Sequence, residues 1–313
     1  MSSAGAQLKA LHEALGTVIF GKQEALFILL AALLARGHVL LEDVPGTGKT
    51  LLAKSLAMCI KGRFRRLQCT PDLMPSDVTG VSIYRSDKHE FEFVPGPAFT
   101  DILLADEINR ATPRAQSCLL ECMEERQVTV DGEARALSNA FFVIATQNPS
   151  GFHGTYPLPE AQLDRFFIRL RMGYPSLQTE VAILADRMQH QPLQALPPVM
   201  DIETLTTLQN RALRVAVKPE VLEYIANVVR ATRNHDAVTL GASPRASVAL
   251  MRASQCVALL GGREFVTPDH VKRIAAPVLA HRLSLKNTAD SAAAEQVIAE
   301  ILDKTAVPVA AAA

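Results

Sequence analysis

Apolar positions follow two rhythms along this chain. Through the first two thirds, strand-length runs recur at residues 38–43 (HVLLED), 64–70 (FRRLQCT), 101–107 (DILLADE), 141–147 (FFVIATQ) and 166–171 (FFIRLR), with helical spacing between them. That alternation predicts an α/β fold on a largely parallel sheet. Runs that are apolar on both faces must be covered from above and below, and the intervening segments supply the helices. Thr112 with Pro113 has the form of a cap and first helical position, predicting a helix to about Arg126. After Pro175 the strand rhythm stops and only helical spacing remains, which predicts a second, smaller, all-helical unit. Ser243 with Pro244 and Thr267 with Pro268 start helices there, and Gly261 with Gly262 ends one. The Pro-rich stretch at 191–201 (QPLQALPPVMD) sets the expected division: residues 1–195 in the α/β unit, 196–313 in the helical one. The closing AVPVAAAA is expected to fray.

Local patterns add detail. The stretch QVTVDGEARAL at 127–137 alternates about Asp131 and Gly132, a hairpin signal. The apolar run at 25–35 (ALFILLAALLA) falls well short of the roughly 20 residues that a bilayer span needs, so it reads as a buried helix. The opening MSSAGAQLKALHEALG has no basic segment leading into an apolar run, so no secretory signal is expected. With 313 residues and 49% hydrophobic content there is core enough for one large or two ordinary domains. Lys plus Arg number 32 against 32 Asp plus Glu, so no global field draws the chain to nucleic acid or an anionic membrane. Protein or small-molecule partners are expected instead. Five cysteines (Cys59, Cys69, Cys118, Cys122 and Cys256) show no C-x-x-C spacing and fit a reducing cytoplasm.

The chemistry concentrates at the ends of the predicted strands. HVLLED-VPGTGKT-LLAKSLAMCI is strand, glycine-rich turn and helix, the context of a phosphate-binding loop. Gly46 and Gly48 let backbone amides converge on phosphates beside the positive end of a helix. Lys49 is placed to reach the β- and γ-phosphates and the Thr50 hydroxyl to bind magnesium. Val44, Pro45, Thr47 and Leu51 complete the loop and its exit. Asp43 stands where the pattern's first glycine is expected; at the end of the strand its side chain can point away from the nucleotide, so its presence is tolerable. The run ILLADE delivers Asp106 and Glu107 to the end of another strand, one carboxylate for a magnesium water and the other to polarise an attacking water. A third strand ends at Asn148, whose amide suits a γ-phosphate or a water. Arg165 in LDRFF and Arg245 in SPRAS are candidates for stabilising charge on the transferred phosphoryl group, an effect worth roughly 10³ to 10⁵ in rate for an arginine finger.

Taken in order, the phosphate loop, the acidic strand end, TQNP, LDRF and SPRAS resemble the AAA+ ATPases. The longer stretches CTPDLMPSDVTG, PGPAFTDILLADEINRATPRAQSCLLECMEERQVTVDG, ATQNP, GTYPLPEAQLDRF and GASPRAS resemble the MoxR family more specifically, over about residues 8–302. The resemblance implies a five-stranded, mostly parallel core with helices on both faces, then a helical lid, and magnesium-dependent hydrolysis of ATP. It implies that Asn148 is a first sensor, Arg245 a second sensor on the lid, and Arg165 a finger given to a neighbouring subunit's nucleotide. Val18, Ile19 and Gly21 resemble the lining of an adenine pocket. Residues 77–99 resemble a helix-two insert and 127–137 a hairpin before the first sensor. Relatives form rings, commonly hexameric, and act as chaperone-like maturation factors for a protein client, often with a partner carrying a von Willebrand factor A domain. Asp43 departs from the pattern, as does SGFHG at 150–154, where relatives are more polar.

Other signals are weaker. Cys118 and Cys122 belong to an apolar stripe with Ala115, Leu119 and Met123, so they read as buried small hydrophobes. KGRFRR at 61–66 reads as a solvated face leading into a strand. A nucleic-acid translocase, an alternative within the same branch, predicts a basic stripe on the 127–137 hairpin, where Arg135 stands against Asp131 and Glu133. A magnesium-chelatase-like ATPase subunit is another alternative.

Overall fold

Strands form where the apolar runs predict them, each shorter than its run: β1 (Val39–Glu42), β2 (Phe64–Gln68), β3 (Ile102–Asp106), β4 (Phe142–Gln147) and β5 (Ile168–Leu170). This computed structural model describes residues 3–308 apart from 45, 149–154, 189–192, 194–195 and 287–290. The strands make one parallel sheet in the order β2-β3-β4-β1-β5. All five carboxyl ends therefore lie along one edge, where ligands bind in open α/β sheets.

The two-residue period of the strands sorts the core into two layers. On one face Leu41, Ile102, Leu104, Phe142, Ile144 and Ile168 pack beneath the helices Ser3–Gly16, Gln23–Leu34 and Lys49–Cys59. On the other, Leu40, Leu103, Ala105, Val143 and Ala145 pack with Ala115, Leu119, Cys122 and Met123 of the helix Pro113–Glu125. That helix starts as expected: the Thr112 hydroxyl accepts the Ala115 amide at 3.4 Å and Pro113 takes the first position. The helix Gln23–Leu34 is buried along nearly its whole length, as its continuous apolar run requires.

Two hairpins project from this framework. Gly80–Arg85 pairs with Glu90–Pro95, and Gln127–Val130 pairs with Glu133–Ala136 across Asp131 (φ 54°) and Gly132 (φ 81°). Both turn residues sit in the left-handed region, as the tightest hairpin turn demands. Arg135 of the second hairpin lies over the Phe93 ring of the first, 4.1 Å from its centroid.

The remainder is helical: Leu177–Arg187, Ile202–Ala212, Pro219–Arg233, Pro244–Leu260, Pro268–Leu279 and Ser291–Lys304. Ser243 precedes its helix without a side-chain cap bond, so the fixed φ of Pro244 sets that start. The expectation of helices alone needs one correction. Val238–Leu240 pairs antiparallel with Ser284–Leu285, segments too short for alternation to show in the sequence. The helical part is pinned to the α/β part by buried polar contacts: Gln209 donates to the Leu33 carbonyl at 2.9 Å, and Arg282 donates to Asp164 at 2.6 Å. The first helix after the sheet leaves Leu177, Val181, Leu184 and Met188 exposed, an apolar stripe at helical spacing. Among the described residues no helix is long and apolar enough to cross a membrane.

Candidate active site

The phosphate-loop residues meet the acidic pair in one crevice at the carboxyl edge of the sheet. It measures about 510 Å³ and is lined by Gly46, Gly48, Lys49, Thr50, Leu51, Arg66, Gln68, Asp106, Glu107 and Asn148. Gly46 and Gly48 hold φ of 86° and 87°, and a Cβ at either would meet nothing within 4 Å. A side chain there would be disfavoured by the backbone and would project into open space. The helix Lys49–Cys59 begins directly after Gly48, so its unpaired amides and positive end sit at the turn. Pro45 and the 150–154 loop lie outside the described residues.

Asp43 has a definite job. Its carboxylate is buried and accepts three backbone amides: Val44 at 3.0 Å on one oxygen, Met172 and Gly173 at 2.8 Å each on the other. It ties the base of the loop to the chain leaving β5, and its side chain points away from the crevice as expected. The Asp43 carbonyl accepts Lys49 Nζ at 2.7 Å, and the Val44 carbonyl accepts it at 3.2 Å. Burial lowers the pKa of Lys49, with Asp43, Asp106 and Glu107 acting in the opposite sense. The Val44 carbonyl also accepts the Thr47 hydroxyl at 3.3 Å, closing the turn on itself.

The acidic pair is positioned by a residue of the neighbouring strand. Thr146, fully buried on β4, donates its hydroxyl to Asp106 Oδ1 at 2.6 Å and accepts the Glu107 amide at 2.8 Å. Glu107 itself adopts φ 59°, ψ 52°, costly for a side chain other than glycine, and this bend ends β3 and aims the carboxylate at the crevice. Asn148 Nδ2 donates to Glu107 Oε1 at 3.1 Å, and Arg110 donates to Oε2 at 3.0 Å. A hydroxyl and a carboxylate facing a phosphate cradle are hard oxygen donors of the type magnesium prefers, so Thr50 and Asp106 fit that ion. Nearby, burial and then the two acids push the Cys69 thiol up to about 12, so it stays protonated.

Other sequence candidates lie elsewhere. Arg165 and Arg245 share one carboxylate: Arg165 Nε stands 3.3 Å from Glu124 Oε2, and Arg245 Nη2 stands 2.8 Å from Glu124 Oε1. They line a separate recess together with Arg36, Arg126 and Arg252, and neither lines the crevice. Val18 and Ile19 are buried, and a Cβ at Gly21 (φ 68°) would come within 2.7 Å of Thr179 Oγ1. That segment therefore abuts the helix leaving β5 and stays outside the lining of the crevice.

Sequence reading missed Arg66, Gln68, Thr146 and Glu124. For Arg66 and Gln68 a signal existed: they are two residues apart near the end of a strand, hence on one face at the ligand edge. Thr146 differs little in sequence from any strand threonine.

Comparison with known proteins agrees with this geometry. Residues 38–168 match the ATPase family associated with various cellular activities (AAA), and residues 230–301 match the AAA lid domain. The chain is 50% identical over 299 residues to YeaC of Bacillus subtilis (strain 168), an uncharacterised protein, covering 95% of this chain and 93% of that one. It is 41% identical to Chaperone MoxR1 of Mycobacterium tuberculosis, covering 93% of this chain and 80% of the relative. A crystal structure of a candidate ATPase from Cytophaga hutchinsonii superposes with a TM-score of 0.90 at 34% identity, covering 98% of this chain and 96% of that one.

Proposed function

The chain belongs to the MoxR family of AAA ATPases, and on that premise we propose that it hydrolyses ATP in the Lys49 crevice to remodel a protein client as a chaperone-like ring. The observation that carries the reading is the convergence of Gly46, Gly48, Lys49, Thr50, Asp106, Glu107 and Asn148 on a single cavity. Backbone amides at Gly46, Thr47 and Gly48 receive the phosphates, and Lys49 exchanges its loop carbonyls for the β- and γ-phosphate oxygens. Thr50 and Asp106 hold magnesium, which supplies charge neutralisation of the terminal phosphates. Glu107 accepts a proton from the attacking water while Asn148 keeps the carboxylate oriented. By resemblance Val18, Ile19 and Gly21 take the adenine beyond the phosphate crevice, whose lining they do not join, with Val44, Pro45 and Leu51 at the loop.

Arg165 and Arg245 act on a nucleotide held by the next subunit. Two arginines on one carboxylate, away from the crevice of their own chain, form a cationic face with no phosphate loop of its own. A head-to-tail ring, hexameric by resemblance, gives that face a triphosphate. The exposed stripe at Leu177, Val181, Leu184 and Met188 is apolar surface that assembly would cover. In this scheme residues 1–195 are the nucleotide-binding core and 196–313 the lid that moves against it. The name of the relative Chaperone MoxR1 supports a chaperone role, and a partner with a von Willebrand factor A domain fits the resemblance. Five free thiols suit a cytoplasmic setting. A nucleic-acid motor is disfavoured, because Arg135 is engaged by Glu133 at 2.6 Å and by the Phe93 ring.

The test is Glu107→Gln. It is expected to keep ATP binding and to lose phosphate release by roughly 10² to 10⁴. Equal release by both forms would remove Glu107 from the chemistry.

A further inference from the structure

Arg66 faces the same crevice from β2, and its guanidinium lies against the carboxylate assigned to the metal. Nη2 stands 2.5 Å and Nε 3.2 Å from one oxygen of Asp106, Oδ2. The other oxygen, Oδ1, is taken by Thr146, whose hydroxyl is fixed because it also accepts the Glu107 amide. Arg66 Nη2 further donates to Gln68 Oε1 at 2.8 Å, and the Gln68 amide reaches Glu107 Oε2 at 3.4 Å. A chain of contacts thus runs from the metal carboxylate through Arg66 and Gln68 to the carboxylate assigned to the water.

We propose that Arg66 is a built-in counter-ion that competes with magnesium for Asp106 and is handed to the triphosphate when the metal enters. With Oδ1 committed to a buried hydroxyl, a cation approaching Asp106 must use Oδ2, where the guanidinium sits. The two cannot share that oxygen without like-charge repulsion at close range. Release is feasible because the Arg66 side chain is 48% exposed, while Asp106, at 13%, stays in place. A displaced guanidinium remains in a crevice that has just received a polyanion, so charge directs it to phosphate oxygens. Its departure also frees Gln68, and with it the link to Glu107. Empty, the site holds both acids in a neutralised cluster; loaded, it returns both to the substrate. Arg66 is a positioning residue in this scheme, and the inference rests on the ATPase reading of the crevice.

Two binding measurements on the full chain test it. The first is Mn²⁺ binding to the protein with ADP, followed by electron paramagnetic resonance. The second is binding of fluorescent ATP in excess EDTA. Removing a half-exposed competing ion pair in Arg66→Gln is expected to tighten Mn²⁺ binding by roughly threefold to fivefold. The same substitution weakens metal-free ATP, since Asp106 then faces the phosphates without its counter-ion. Arg66→Lys, which keeps a charge, stays near wild type in both. Opposite signs are the signature, because general damage to the fold would weaken both. Unchanged or weaker Mn²⁺ binding by a folded Arg66→Gln overturns the proposal. Should that variant fail to fold, Arg66→Met takes its place under the same criterion. If wild type itself binds neither Mn²⁺ with ADP nor ATP, the ATPase reading of the crevice fails; if wild type binds and only the Arg66 effect is missing, the counter-ion falls alone.

Discussion

At the scale of single residues, several polar side chains do their work through fixed hydrogen bonds in places that burial makes unforgiving. His38 is the clearest. Its Nδ1 accepts the Val143 amide at 3.0 Å, so the proton belongs on Nε2, which donates to the Met123 carbonyl at 3.0 Å. Burial, with Arg126 nearby, drives its pKa down to about 3. A second buried imidazole, His281, is held well below 6.5 by burial and the adjacent Arg282. The unfolded chain takes up these protons near pH 6.5 and the folded chain resists, so stability is constant above that pH and falls below it. The slope approaches roughly 1.4 kcal/mol per pH unit for each histidine. Urea unfolding at pH 7.5, 6.5 and 5.5 should show the midpoint falling slightly over the first step and mostly over the last. The carboxyls of Glu24, Asp101 and Asp201 are held below the usual range and titrate further down, so an unchanged midpoint at pH 5.5 would mean that these imidazoles are protonated in the fold.

Among elements, the phosphate loop is the place where sequence pattern and structure diverge most usefully. The pattern calls for glycine at position 43, and the chain has a buried aspartate whose carboxylate gathers amides from Val44, Met172 and Gly173. The loop is thereby fastened at its base to the chain leaving β5. Restoring the pattern with Asp43→Gly should accordingly harm the protein. Leaving those amides without their acceptor is expected to cost about 1–3 kcal/mol in unfolding free energy, read by urea denaturation, and to weaken ATP binding. A neutral or stabilising effect would show that the tie is dispensable. The strands, the two-layer core and the Asp131-Gly132 hairpin were all legible because periodicity and turn chemistry are local. The ties were not: which amides Asp43 meets depends on β5 lying beside β1, a fact of tertiary register. Likewise Arg66 belongs to a basic stretch that reads as solvated, and only the pairing of Gln68 with Asp106 across β2 and β3 brings that face to the site.

For the whole molecule, the placement of two arginines is decisive. Motif order brings Lys49, Asp106, Glu107, Asn148, Arg165 and Arg245 into one list, and the fold divides it in two. Four of these meet in the crevice, while Arg165 and Arg245 meet each other at Glu124. The resemblance already set Arg165 apart as a finger for a neighbouring nucleotide, but the meeting of Arg245 with it at Glu124 is a tertiary contact that no local pattern records. Closure of the site by a second copy is therefore the account's central claim. Mixing two inactive variants tests it most directly: Lys49→Ala, which keeps its arginines, and Arg165→Ala, which keeps its crevice. In mixed assemblies at equal amounts, about a quarter of the interfaces join an intact crevice to an intact arginine, so ATPase activity should return to roughly that share of wild type. Mixed assemblies that form, as shown by mass measurement, yet release no more phosphate than either variant alone would contradict it.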